Sequence, residues 1–288
     1  MSILFDTNTD YVRIADNAVL TFPDGDWAIQ AWGKLANNSA TASERWFDWD
    51  TGSSAAIRLY ITQSGGTQDE LHLRVYDAVD GADIESTSSP FASNTNWTHV
   101  LAQRNGSNFE LYINGSSVGT VAVGSVDAID VASHFYIGQY EPVKDRAFDG
   151  YLAEFAKWNR ALTSTEITNL AAGYSPHYYS TSLQWYCPFI DSYTEIINSL
   201  TVSQSGTATN AEHPDTFYPL AAPLITNTPT LYGPTLVKSP YPLVAPLITN
   251  TSTFYDPTLV KQPYPLVAPL VTNTPTFYGP TLAAVLAT

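Results

Sequence analysis

Residues 97–115 read WTHVLAQRNGSNFELYING. Two short runs, Thr98–Asn105 and Phe109–Ile113, alternate apolar with polar residues, as strands with one buried face do. Arg104-Asn105-Gly106-Ser107-Asn108 separates them, and Asn114-Gly115 closes the second. Asn and Gly tolerate the left-handed backbone that tight hairpin turns require, so the stretch reads as consecutive hairpins.

The same pattern extends outward. Ile3–Phe5, Tyr11–Ile14, Trp27–Leu35, Ala56–Thr62, Glu70–Tyr76, Phe135–Gln139 and Tyr151–Trp158 are β-rich and bounded by Gly, Asn, Asp or Ser. One short helix is expected. Thr163-Ser164-Thr165-Glu166 forms a capping box before Ile167 and Leu170, and Gly173 stops it. Many strands with almost no helix give an all-β chain folded as a sandwich or barrel.

The organisation is threefold: a β body over 1–172, a bridge over 173–216, and a tail over 217–288. In the tail, Tyr218, Tyr241 and Tyr264 each open the phrase YPL-x-APL, a period of 23 residues. Thirteen of the nineteen prolines lie here, which forbids long helices and central strands with full ladders. Each unit is expected to hold two short strands, near Leu243–Thr249 and Thr253–Val260 in the second copy, bent at Asn250-Thr251. One such unit is barely stable alone, so the three copies are read as stacking together or with other chains, with a flexible Pro-rich linker as the alternative.

The formal charge is −15. From Phe217 onward only Asp256, Lys238 and Lys261 are charged, a net of +1, which leaves −16 on the first 216 residues. An acidic body argues against nucleic acid as partner. One cysteine, Cys187, excludes an intrachain disulfide. The N-terminus does not read as a signal peptide and nothing reads as a membrane span, so synthesis and folding in a reducing cytosol are expected.

Four motifs carry a resemblance. Phe5-Asp6-Thr7-Asn8-Thr9-Asp10-Tyr11-Val12-Arg13-Ile14 leads into Trp27-Ala28-Ile29-Gln30-Ala31-Trp32; Trp97-Thr98-His99-Val100 leads into Phe109–Gly115. Tyr136-Ile137-Gly138 precedes Phe148–Phe155, and Trp158–Thr163 follows. In this order they resemble laminin-G-like domains of the concanavalin A-like lectin/glucanase superfamily. The resemblance implies a two-sheet antiparallel jelly-roll sandwich with a C-terminal β-rich three-repeat extension. It also marks a departure: a Trp-containing strand that often precedes the first motif is missing there. Leu183–Phe189 (LQWYCPF) looks like that strand, docked back in permuted order. The folded body then spans about 1–216. The tail phrase resembles repeats in structural proteins of tailed bacteriophages.

Chemistry is sparse. Glucanases of the superfamily carry Glu-x-Asp-x-x-Glu, and no such run occurs. Asp48-Trp49-Asp50 places two acids on one strand face, a pattern an acidic strand edge or turn shares. The five histidines are scattered, with none paired at metal-ligand spacing. Asp6, Asn8 and Asp10 offer oxygens at alternate positions, and the fold would bring Asp149 to them, a set suited to Ca2+. The Asp149-Gly150 step would let a carbonyl approach closely. An Asx turn explains the same letters without metal. Trp46, Trp49, Tyr60, Tyr76 and Tyr140 are candidate sugar platforms; Trp27, Trp32, Trp97 and Trp158 read as core.

The combination reads as a non-enzymatic bacteriophage virion protein, a capsid decoration or a head or tail fibre component. Its partners would be its own copies, as a homotrimer, other virion proteins through the repeats, and host or environmental glycans. It would be made in the bacterial cytoplasm and sit on the virion surface, with no nucleic-acid or membrane partner. The alternatives are an extracellular fibril or surface adhesin subunit, and a polysaccharide hydrolase of the same fold.

Overall fold

The computed structural model describes residues 2–5, 9–36, 43–50, 55–64, 67–77, 79–86, 96–139, 146–189, 193–206, 209–211, 213–216, 220–221 and 243–244. The chain divides into two compact units, Met1–Asp215 and Thr216–Thr288.

The first unit is an antiparallel two-sheet sandwich. One sheet holds β1 (Ser2–Phe5), β3 (Trp27–Leu35), β8 (Thr98–Asn105), β9 (Asn108–Ile113), β10 (Ser116–Ala122), β12 (Gly150–Trp158), β13 (Leu183–Cys187) and β15 (Thr209–Ala211). Its order is β10-β9-β8-β3-β12-β1-β15, with β13 also paired to β12. The other holds β2 (Tyr11–Ile14), β4 (Glu44–Asp50), β5 (Ala56–Ser64), β6 (Thr67–Tyr76), β7 (Gly81–Glu85), β11 (Phe135–Ile137) and β14 (Val202–Ser205), in the order β14-β2-β11-β4-β5-β6-β7.

Alternation along each strand fills the space between the sheets. Ile29 and Ala31 of β3, Val100 and Ala102 of β8, Ile57, Leu59 and Ile61 of β5, and Leu71, Leu73 and Val75 of β6 share one core. Trp27, Trp46, Trp49 and Trp185 are its largest side chains. Gly33 makes room for one of them: a Cβ there would stand 2.5 Å from the Trp46 ring. At Gly150 the backbone itself is the constraint. Its φ is +152°, and a Cβ would meet the Lys34 carbonyl oxygen at 2.2 Å, so only glycine fits between β12 and β3 here.

The hairpins over 97–115 form as read. β8 pairs β9 from Val100↔Ile113 to Asn105↔Asn108, and Asn114 and Gly115 take φ of 48° and 79°. The helix (α1, Ser164–Ala171) carries the full capping box: Thr163 accepts from the Glu166 N–H, and the Glu166 carboxylate accepts from the Thr163 N–H. LQWYCPF also joins the sandwich. β13 pairs β12 through Phe155↔Cys187 and Lys157↔Trp185, with Trp185 and Cys187 in the core.

Strands β4, β7, β10, β14 and β15 are additional to those expected from the sequence. β10 (SSVGTVA) and β7 (GADIE) hold too few apolar residues for periodicity to show. In β4 a bulge between Arg45 and Phe47 turns both Trp46 and Phe47 inward, which breaks the alternation that would have marked it.

In the second unit Leu220–Ala221 pairs in parallel with Leu243–Val244. The register, Leu220↔Leu243 and Ala221↔Val244, is one repeat period, so equivalent positions of two successive copies lie side by side. The expected strand at Thr253–Val260, the bend at Asn250-Thr251 and the third copy lie outside the described residues.

Candidate functional site

The strands that bury Ile57, Leu59, Leu71, Leu73 and Val75 must present their other residues outward. On β4, β5 and β6 those are Asp48 and Asp50, Arg58 and Tyr60, and His72, Arg74 and Tyr76, with Arg45 beside them. Asp48 stands opposite Arg58, Arg58 opposite Arg74, and Tyr60 opposite His72. A chain with twelve Lys and Arg thus sets three arginines on three adjacent strands.

Guanidinium groups and rings interleave on this face. Arg45 lies 4.2 Å from the Tyr60 ring centre, and Tyr60 stacks on His72 with centroids 5.0 Å apart and planes 19° apart. Arg58 and Arg74 lie 5.4 Å and 5.3 Å from the Tyr76 ring. Arg58 binds Asp50 and donates to the Tyr76 hydroxyl at 2.8 Å. Tyr60 and Tyr76 are half-buried and Arg74 is exposed, so rings and one cation reach solvent above a floor of buried charge.

Asp48 is the centre of that floor. It is fully buried, and Arg45 Nε and Arg58 Nε each lie 3.6 Å from its Oδ2. Among the described residues no hydrogen bond reaches either carboxylate oxygen. Burial pushes its pKa up to about 7, against the opposing pull of Arg58 and Arg45. Burial also lowers Arg45 to about 10, which leaves it charged at neutral pH.

Beyond this floor, at the β6–β7 edge, His72 Nε2 faces Glu70 Oε2 at 3.7 Å and Glu85 Oε2 at 3.8 Å. These are the His and carboxylate ligand atoms that gather within 4.8 Å among the described residues. Along the sequence no histidine is paired at metal-ligand spacing; the pattern that brings these groups together has period two, Glu70-x-His72 on one strand and Asp83-x-Glu85 on the next.

The expected calcium set fares differently. Asp6 and Asn8 lie outside the described residues. Asp10 is buried, and its carboxylate lies against Gly206, where a Cβ would meet Oδ1 at 1.8 Å. Asp149 precedes β12, and its N–H donates to Glu44 Oε2 at 3.1 Å.

The aromatic candidates also separate. Trp46 and Trp49 are fully buried and cannot be platforms; the inward bulge and the Trp49 Nε1–H donated to Ser133 O hold them in the core. Tyr60 and Tyr76 reach the surface, and Tyr140 lies outside the described residues. Of the four tryptophans read as core, Trp27 lies between the sheets. Trp158 is buried on the opposite face of its sheet, donating to the Tyr179 carbonyl. Trp32 packs its ring against His99, and Trp97 is only half-buried. Period two shows that a residue alternates, not which face is covered.

The concanavalin A-like lectin/glucanases superfamily, in its laminin G group, matches residues 6–168. Among solved structures the fold is similar to a Bacteroides ovatus protein inferred to bind carbohydrate, at 18% identity and a TM-score of 0.53. That match covers 73% of this chain and 61% of the other, so the chain spans about three-fifths of its length. Domain 4 of a Geobacillus stearothermophilus extracellular arabinanase, solved with arabinotriose, matches at 18% identity and TM-score 0.47, over 59% of this chain and 76% of that one. A heptameric pentraxin from Limulus polyphemus matches at 16% and 0.46, over 71% and 93%. No curated protein matches the chain.

Proposed function

The chain belongs to the concanavalin A-like lectin/glucanases superfamily, and on that premise we propose that it binds glycans, without turnover, as a structural protein of a bacteriophage virion. The carrying observation is the outward face of β4–β6. Half-buried Tyr60 and Tyr76 present ring edges at the surface between the guanidinium and imidazole groups stacked on them, and exposed Arg74 is a donor for sugar hydroxyl groups above the buried Arg58–Asp50 pair. Several weak sites of this kind gain affinity when copies assemble.

The repeats supply assembly. Strand pairing between equivalent positions of successive copies can continue from chain to chain, to sister subunits as a homotrimer or to other virion proteins. The protein is then made in the host cytoplasm and displayed on the particle. Calcium at Asp6, Asn8, Asp10 and Asp149 belongs to the same reading.

The test is a panel of neutral and acidic polysaccharides with the full-length protein. Tyr60→Ala with Tyr76→Ala abolishes retention, while Tyr174→Ala, an exposed ring elsewhere, leaves it intact. Equal retention by both variants would place the site elsewhere. Light scattering of full length against residues 1–215, with and without chelator, tests assembly and calcium together.

One observation favours a hydrolase: Asp48, with its raised pKa, beside Asp50 on one strand face, as an acid and its partner would be. Release of reducing ends from any panel member, lost in Asp48→Asn, would replace the non-enzymatic reading.

A further inference from the structure

We propose that Glu70, His72 and Glu85 bind a divalent transition-metal cation of the zinc type, a site separate from the glycan reading and from the calcium set.

The placement follows from register. His72 on β6 stands directly opposite Glu85 on the edge strand β7, and Glu70 lies two residues back on the same face. Opposed residues of an antiparallel pair bring their Cβ atoms within about 5.5 Å, close enough for both side chains to reach one ion.

The imidazole is prepared as a ligand. His72 is 8% exposed, and stacking on Tyr60 fixes its ring plane. Its Nε2 is buried, has no hydrogen-bond partner among the described residues, and points between the two glutamates. On the other side Nδ1 lies 3.4 Å from Asp83 Oδ1. A carboxylate on the far nitrogen fixes the tautomer that leaves Nε2 free to ligate, the arrangement that metal-bound histidines commonly show.

The distances suit a small tetrahedral ion. Bonds of about 2.0–2.2 Å at tetrahedral angles put ligand atoms about 3.4 Å apart. The observed 3.7 Å and 3.8 Å are a few tenths longer. Small rotations of the glutamates, whose side chains are 46% and 68% exposed, close that gap. One nitrogen and two carboxylates leave a fourth position for water. The same set falls short of the six to eight oxygens calcium takes. The cation facing this edge is Arg74, opposite Asp83 and held over Tyr76.

The test is calorimetric titration of the full-length, tag-free protein, stripped with EDTA and dialysed, with zinc chloride and separately with calcium chloride. Zinc is expected to bind with one equivalent lost in His72→Ala, and calcium to leave that equivalent unfilled. Glu85→Gln, at an exposed position that does not threaten folding, weakens zinc roughly tenfold or more, and Asp83→Asn weakens it about 10–100-fold through the imidazole. His134→Gln titrates as wild type. Cobalt(II) in place of zinc gives a tetrahedral visible spectrum that disappears with His72. No saturable zinc uptake, or uptake unchanged in both His72→Ala and Glu85→Gln, overturns the proposal and leaves an imidazole among surface carboxylates.

Discussion

The two sheets share one core but treat their outer faces in opposite ways. Outside β3, β8 and β12 the chain covers itself. Helix α1 and the turn at Pro176–Tyr179 lie over that face, and its polar groups are tied inward. Gln103 accepts from the Leu162 N–H, Gln30 lies 3.2 Å from His99 Nε2 and donates to the Glu154 carbonyl, and Tyr186 donates to Glu154 Oε2 at 2.5 Å. His213 Nε2 lies 3.1 Å from Glu154 Oε1. Burial lowers His99 to about 3 and raises Glu154, the latter against His213 and Tyr186. Outside β4–β6 the charges are equally buried, yet the rings above them face outward. The same sandwich thus makes one structural face and one able to meet a ligand. Partner geometry separates them, since Glu154 has a donor at 2.5 Å while Arg45 and Arg58 stand 3.6 Å from Asp48.

Arg58→Ala is the strongest way to break this contrast. It removes the ion-pair partner that Arg58 supplies to Asp50 and one of the cations beside buried Asp48. Leaving such charges uncompensated costs about 3–5 kcal/mol, measured by denaturant unfolding, and glycan retention is lost with it. A loss under about 1 kcal/mol would mean that the floor is more hydrated than its burial implies.

Next comes the pH dependence of Asp48. Its folded pKa, about 7, stands above the ordinary 3.8, so the folded state holds this proton more tightly than the unfolded chain. The contribution is fully present below about pH 4 and is lost as pH rises to about 7, on the order of 1.4 kcal/mol per pH unit between. Asp48→Asn removes it. The difference in unfolding free energy between wild type and variant should therefore change across pH 4–7 and be flat above pH 8. A flat difference throughout would show that the arginines around it, Arg58, Arg45 and Arg146, keep Asp48 charged.

On the covered face, Glu154→Ala leaves the Tyr186 hydroxyl with Ser175 alone and removes the His213 contact, at about 1–3 kcal/mol, and leaves glycan retention unchanged in the folded fraction. Thr163→Ala removes the cap of α1 for about 1 kcal/mol and sharpens the contrast least. Both are read by thermal unfolding. If either variant abolished retention while folded, the division between the faces would fail.

Local chemistry made much of this legible in advance. Asn114-Gly115, the Thr163–Glu166 box and the alternating runs are each set by backbone preferences within a few residues. The four ordered motifs carried the family, and the 23-residue phrase carried the repeat. The site was less legible. Asp48 and Asp50 were visible as a pair, but the arginines that surround them come from β4 and β5, and their meeting depends on the pairing Asp48↔Arg58. Trp46 looked like a platform because a bulge cannot be read from the letters around it. His72 looked solitary because its partner Glu85 is thirteen residues away, brought opposite only when β7 takes its register on β6.

By itself the sequence determined where the alternating strands and the tight turns fall, that one helix is capped, and that the tail repeats one unit, because these depend on short-range preferences and periodicity. Tertiary structure alone decided which side of each strand is covered, which carboxylate finds a donor and which is left beside guanidinium groups, and where an imidazole meets two glutamates. Those outcomes follow from sheet order and register, which join residues that no local preference links.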